Sequence, residues 1–179
     1  MKKIILIILL IFYLPRLFAP PIIESLAATL VNVKEVTDKI ELDLYLEAIH
    51  ISESPGSWCA INSLGCAGGY QLSKVALQDI GYRGTIRQFI NSKELQKKLM
   101  VQLLKKNKKY LEFYGYDKYI GKTVHGIKIT LSAALSACHL CGIGGFGRFI
   151  KEGHNATDGN ETTIKYLLKF QNYNLNGII

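Results

Sequence analysis

Glu53 and Gln71 bracket the segment ESPGSWCAINSLGCAGGYQ, an acid, a glycine-rich bend and an amide held eighteen positions apart. Upstream, Leu42, Tyr45, Leu46 and Ile49 recur at helical spacing, and Glu53 extends the same stripe by four positions. A carboxyl on that stripe points into the fold. Partial burial disfavours the charged form, so the expected pKa is raised, as an acid that protonates a leaving group near neutral pH requires. Glu53 is the candidate catalytic acid; its plain alternative is a helix-terminal carboxylate. Glu47, six positions earlier, reads as a surface helix residue. Asp79 and Asp117 are the candidates for a second carboxylate. His50, His125 and His154 have no metal-ligand spacing.

The elements that would position these residues are mostly helical. Between residues 40 and 51 the pattern is ambiguous: apolar residues at 40, 42, 44 and 46 alternate like a strand, whereas 42, 45, 46 and 49 fit a helix. Three glycines between Gly65 and Gly69 imply a tight turn or small hairpin. Leu72, Val75, Ala76 and Ile80 predict a short amphipathic helix stopped by Gly81. Asn91 with Glu94 resembles a capping box opening a helix through Leu95, Leu99, Leu103 and Leu104. Thr130 to Cys141 predicts a helix of small residues ended by Gly142, Gly144, Gly145 and Gly147, and a last helix runs from about Thr162 to Phe170. No strand–helix alternation is present, so a parallel-sheet fold is not expected. The expected fold is mainly α, with a small β or irregular insertion after Glu53.

Met1-Lys2-Lys3 followed by the apolar run Ile4 to Leu14 predicts an export segment over residues 1–27, either a cleaved signal peptide or an uncleaved anchor. Residues 28–38 read as a polar lead-in and 39–179 as the functional domain. Of the formal charge of +8, Lys2, Lys3 and Arg16 against Glu24 fall in 1–27, so the remainder carries about +6 and favours anionic partners. The cluster Lys105, Lys106, Lys108 and Lys109 reads as a solvated helix face. No nucleic-acid partner is expected, and membrane contact is expected only through the N-terminal segment. Cys59, Cys66, Cys138 and Cys141 suit an oxidising compartment, as two disulfides in any of three pairings or as buried thiols; a zinc site is the weaker alternative because Cys59 and Cys66 are widely spaced.

Glu53-Ser54 and Gly65-Cys66-Ala67-Gly68-Gly69-Tyr70-Gln71 resemble the catalytic Glu-Ser and the Gly-Ala-x-Gly-Leu-Met-Gln-like motif of lytic transglycosylases and the goose-type branch of the lysozyme-like superfamily. Ala137-Cys138-His139-Leu140-Cys141-Gly142 looks like a variant of that family's Ala-Tyr-Asn-Ala-Gly motif, and Thr162 or Thr163 with Tyr166 like its later tyrosine motif. The resemblance covers residues 40–170. It implies a lysozyme-like fold and cleavage of the β-1,4 bond between N-acetylmuramic acid and N-acetylglucosamine in peptidoglycan. It further implies that one glutamate acts as acid and then base, with no metal or organic cofactor. Lysozyme-type hydrolysis and a non-catalytic wall-binding component are the alternatives. The implied substrate-binding residues are Ser54, Gly69, Tyr70, Gln71, His139 and Tyr166, with Tyr70 offering an aromatic face and a hydroxyl to a sugar. Cys138 and His139 depart from the family's tyrosine and asparagine. The implied partners are peptidoglycan glycan strands and a cell-envelope assembly, and the implied location is periplasmic or secreted.

Overall fold

A computed structural model of the chain describes residues 20–179. The export segment read over residues 1–27 falls largely outside that range. The chain is mainly helical, with only two-residue strands. It resolves into a unit ending at Ile40 and a unit spanning Glu41–Ile179.

Helix α1 runs from Pro20 to Glu53. The two prolines at its start cost little, because first-turn N–H groups have no partner within a helix, and no glycine or proline follows until Pro55. Residues 28–38, read as a polar lead-in, are helical: nothing in them breaks the backbone ladder, and Lys34 pairs with Asp38 one turn on. Leu30, Val31, Val33 and Val36 remain exposed. The strand–helix ambiguity over 40–51 also resolves to helix.

In the second unit, Tyr45, Leu46 and Ile49 of α1 enter a continuous core. Full burial of each such side chain is worth roughly 1.5–3 kcal/mol. Helix α2 (Lys74–Asp79) is capped by Ser73, whose hydroxyl accepts from Ala76 N. Its expected stripe shifts: Leu72 and Leu77 are buried, while Val75 is 74% exposed. Helix α3 (Ile86–Ile90) carries the capping box, made by Thr85 and Gln88. Asn91 ends α3, and Ser92 rather than Asn91 caps α4 (Lys93–Phe113), accepting from Leu95 N at 3.2 Å. A 3-10 turn at Asp117–Tyr119 leads to the hairpin β1 (Thr123–Val124) and β2 (Ile127–Lys128).

Helix α5 (Leu131–Glu152) is the central element; Ala133, Ala134 and Ala137 let its neighbours approach closely. Tyr45 ties α1 to it through hydrogen bonds to Ser136 Oγ at 2.7 Å and Ser132 O at 3.1 Å. The expected stop at Gly142 is a kink instead: Gly142 adopts φ 68° and ψ 170°, and the helix resumes to Glu152. Gly145 and Gly147 serve packing. A Cβ on Gly147 would lie 2.2 Å from the Tyr116 hydroxyl, and one on Gly145 would lie 2.7 Å from Cys141 Sγ. The hairpin β3 (Thr157–Asp158) and β4 (Glu161–Thr162) then delivers the chain to α6 (Thr163–Phe170), capped by Thr162. Isolated bridges Ile61↔Ala67 and Ala67↔Leu72 hold the irregular insertion after Glu53.

Candidate active site

Glu53 is the last residue of α1. The chain leaves the helix at once: the Ser54 hydroxyl donates to His50 O at 3.1 Å, and Pro55 takes a positive φ of 23°. A carboxylate at a helix C-terminus faces the negative end of the helix dipole, so it needs donors from elsewhere. Helices α5 and α6 supply them. The Tyr166 hydroxyl donates to Glu53 Oε1 at 2.6 Å, and His139 Nε2 lies 3.3 Å from the same oxygen. No described residue hydrogen-bonds Oε2. Behind this group, Lys169 Nζ donates to Ser52 Oγ at 2.6 Å, and Ser52 Oγ lies 3.3 Å from the Tyr166 hydroxyl.

The electrostatic balance runs opposite to the sequence-based expectation. Burial does push the Glu53 carboxyl upward, its side chain being 16% exposed, but the hydrogen bond and positive charge of His139 oppose it. The Tyr166 hydroxyl and the Lys169 ammonium add to that opposition, and the net pKa lies below the ordinary carboxyl value. The acid is not kept protonated by apolar surroundings; it is held ionised by donors. Tyr166 moves the other way, its pKa raised by burial and by the adjacent carboxylate, so it stays a hydroxyl donor.

Glu53, His139 and Tyr166 line one cleft of about 620 Å³ together with Gln71. Gln71 adopts φ 47° and turns its amide nitrogen to Gly68 O at 2.8 Å, so it braces the glycine bend while facing the cleft. Three expected substrate contacts lie elsewhere. Tyr70 is fully buried, packed edge-on to Trp58 at 5.6 Å, and does not line the cleft. Gly69 is a packing glycine: a Cβ there would sit 2.7 Å from His50 Cδ2 and 2.8 Å from Trp58 Cε3. Ser54 is buried and spent on capping α1. The physical reason is shared. The bend folds inward onto Gln96, whose Oε1 accepts from Gly69 N at 2.7 Å and whose Nε2 donates to the carbonyls of Trp58, Phe89 and Ile90.

The carboxylates also redistribute. Asp79 reaches the cleft but is paired with Lys106 at 2.6 Å, Asp117 is not among the lining residues, and Glu47 lies 3.5 Å from His50 Nδ1 instead. Asp158 and Glu161, from the β3–β4 hairpin, line the cleft in their place. Sequence reasoning passed over these two, Ser52, Asn107 and Lys169. Only Lys169 carried a local signal, standing three residues after Tyr166 and so on the same side of α6.

The expected disulfides are absent: Cys59, Cys66, Cys138 and Cys141 are all free thiols. Cys138 is buried in the core, where its pKa is pushed well up by desolvation, and Cys141 Sγ donates to Ala137 O at 3.0 Å within its own helix. The Cys59 thiol, for its part, lies 3.5 Å from Ile90 O. Among the described residues no group of three His, Cys, Asp or Glu is placed to hold a metal ion.

Comparison with protein-family models, curated proteins and solved structures returned no match. The chemistry of the site has to carry the functional argument. A half-buried carboxylate with one oxygen hydrogen-bonded by Tyr166 and close to His139, and the other without a hydrogen bond from any described residue, at the edge of an open cleft, is arranged for proton transfer to or from a bound ligand.

Proposed function

We propose that this protein is a peptidoglycan-cleaving enzyme that acts on the β-1,4 bond between N-acetylmuramic acid and N-acetylglucosamine by lytic transglycosylation. The observation that carries the reading is Glu53 Oε1 anchored by Tyr166 and His139 on a cleft shared with Gln71. The lysozyme-like resemblance of the Glu53–Gln71 segment adds to it. Protonated Glu53 donates its proton to the glycosidic oxygen, which departs with the bonding electrons as a hydroxyl. The sugar left behind carries oxocarbenium character at C1. The carboxylate then accepts the proton of that sugar's own 6-hydroxyl as its oxygen bonds to C1, closing a 1,6-anhydro ring and restoring the acid.

The lowered pKa shapes this cycle. At neutral pH the resting carboxyl is mainly ionised, the form suited to the second half, and the protonated form needed for the first half grows as the pH falls. Turnover is therefore expected to rise toward acidic pH. No cofactor takes part in this scheme. The N-terminal apolar run supports placement outside the cytoplasm, periplasmic or secreted, with glycan strands as the partner.

A second reading, lysozyme-type hydrolysis of the same bond, is favoured by one observation: Asp158 and Glu161 share the cleft with Glu53. Either could direct a water to the sugar carbon. Mass spectrometry of sacculi digested by the purified protein separates the readings. Anhydro ends mark transglycosylation and reducing ends mark hydrolysis; binding without release would leave a wall-binding component and overturn the enzymatic proposal.

A further inference from the structure

Helix α4 forms one wall of the cleft through Leu103, Asn107 and Tyr110, which recur at helical spacing on a single stripe. Leu103 and Asn107 are buried, and Tyr110 is half-buried. One turn beyond Tyr110 the stripe continues to Tyr114, with Phe113 beside it. Among the described residues these two are the only aromatics in the set of exposed large hydrophobic side chains, Phe113 at 79% and Tyr114 at 54%. A pair of exposed rings at the end of a cleft wall needs an explanation that scattered surface aliphatics do not.

The rings form a braced array. Phe113 meets Tyr114 edge-on with centroids 5.0 Å apart, and Tyr110 lies 6.5 Å from Tyr114. Tyr114 stacks at 22° on Tyr116, which in turn packs edge-on to the fully buried Phe146 at 6.0 Å. The array is thus rooted in the core at one end, joined to the cleft through Tyr110, and open to solvent at Phe113 and Tyr114. A ring already held by its neighbours loses little freedom when a ligand settles on it. The C–H face of a pyranose ring is apolar and flat enough to lie on an aromatic plane, while its rim of hydroxyls and amides stays in water. That combination suits a half-exposed aromatic edge better than a fully apolar partner would.

We propose that Phe113 and Tyr114 form an outer glycan subsite, which takes N-acetylhexosamine rings of the same strand beyond those held in the cleft. The inference rests on the proposed glycan-cleaving function and adds to it a preference for long strands. The lysines beside the array, Lys106 at 5.6 Å over Tyr110 and Lys151 at 5.8 Å over Tyr116, leave Phe113 and Tyr114 as the exposed rings of the array with no cation from the described residues over them.

The test uses the full chain carrying Glu53→Gln, so that ligands are bound without turnover, with β-1,4-linked N-acetylglucosamine trimer and hexamer as probes in calorimetric titrations. Adding Phe113→Ala and Tyr114→Ala is expected to weaken hexamer binding about tenfold, and to leave trimer binding unchanged. Replacing both residues by Trp, which keeps the aromatic faces, is expected to retain hexamer affinity and guards against a loss caused by misfolding. Unchanged hexamer affinity in the alanine variant overturns the outer subsite and leaves the proposed function standing. Equal losses for trimer and hexamer, or loss in the Trp variant, overturn it as well. If the parent binds neither oligomer, the proposed function itself falls and takes the subsite with it.

Discussion

Removing one oxygen from the protein, by Tyr166→Phe, tests the electrostatic account of Glu53 most directly. The Tyr166 ring is 1% exposed and packs on Phe170 with centroids 5.2 Å apart, so phenylalanine keeps the packing and deletes only the hydroxyl. That hydroxyl donates at 2.6 Å to a carboxylate that is largely shielded from water. A hydrogen bond to a charged group is worth about 1.5–3 kcal/mol. For a chain of this size a loss of 1 kcal/mol lowers Tm by roughly 2–4 °C, so the variant should melt about 3–12 °C lower at pH 7. The sign of the pH dependence follows from the lowered pKa. The contribution of ionised Glu53 is complete above the unfolded carboxyl value of about 4.3, and is lost as pH falls through the still lower folded value. The difference in Tm between wild type and variant should therefore shrink as the pH is taken below that window, where a neutral carboxyl accepts a weaker bond worth about 0.5–1.5 kcal/mol. Deleting a donor that favours the charged form also raises the Glu53 pKa, so the alkaline limb of the pH–activity profile on purified sacculi should move upward. Circular-dichroism melts at pH 7 and pH 3, with activity profiles over the same range, make the comparison. A Tm difference independent of pH, together with an unmoved limb, would refute the assignment of Tyr166 as the anchor of an ionised Glu53.

Glu53→Gln should leave the melting curve cooperative and lower muralytic activity by about 10²–10⁴, the usual worth of a general acid–base group; muropeptide release at the wild-type rate would remove Glu53 from the chemistry. His139→Asn removes the imidazole 3.3 Å from Oε1, the group that does most to lower the Glu53 pKa, so that pKa rises and the alkaline limb shifts to higher pH; an unshifted limb counts against the pair. Gly69→Ala forces a methyl to within 2.7 Å of His50 and 2.8 Å of Trp58, so it should cost about 1–3 kcal/mol and lower Tm. Wild-type stability in that variant would show that the bend is not packed as described.

Much of the local architecture was legible in the residues. Thr130 and Thr162 open helices where the sequence places them, and the cap read at Asn91 erred by one residue from Ser92; Ser73 and Thr85 are equally local hydroxyl caps, each with its partner three positions on, but they and the short helix Ile86–Ile90 were not singled out. The alternation over 40–46 left strand and helix both open, and the continuous helix Pro20–Glu53 decides between them. Gly142 was misread as a terminator because a single positive φ can equally kink a helix, and the choice depends on what the next residues pack against, here Tyr116 beside Gly147.

Residue type and spacing were enough to single out Glu53 and Gln71 and to predict a mainly helical chain, because periodicity and caps act within a few residues; His139 and Tyr166 became candidates only through the family resemblance. Type and spacing were not enough to separate Tyr70 from Tyr166, two tyrosines in apolar surroundings, one sealed in the core and the other bonded to the acid. Nor could they give the sign of the Glu53 pKa shift. Burial is read from a local stripe and points upward, whereas His139, Tyr166 and Lys169 arrive from α5 and α6, distant in the chain, and point downward. Charge–charge and hydrogen-bond energies depend on separations of a few ångströms through space, and the packing of α1 against those two helices is what sets them.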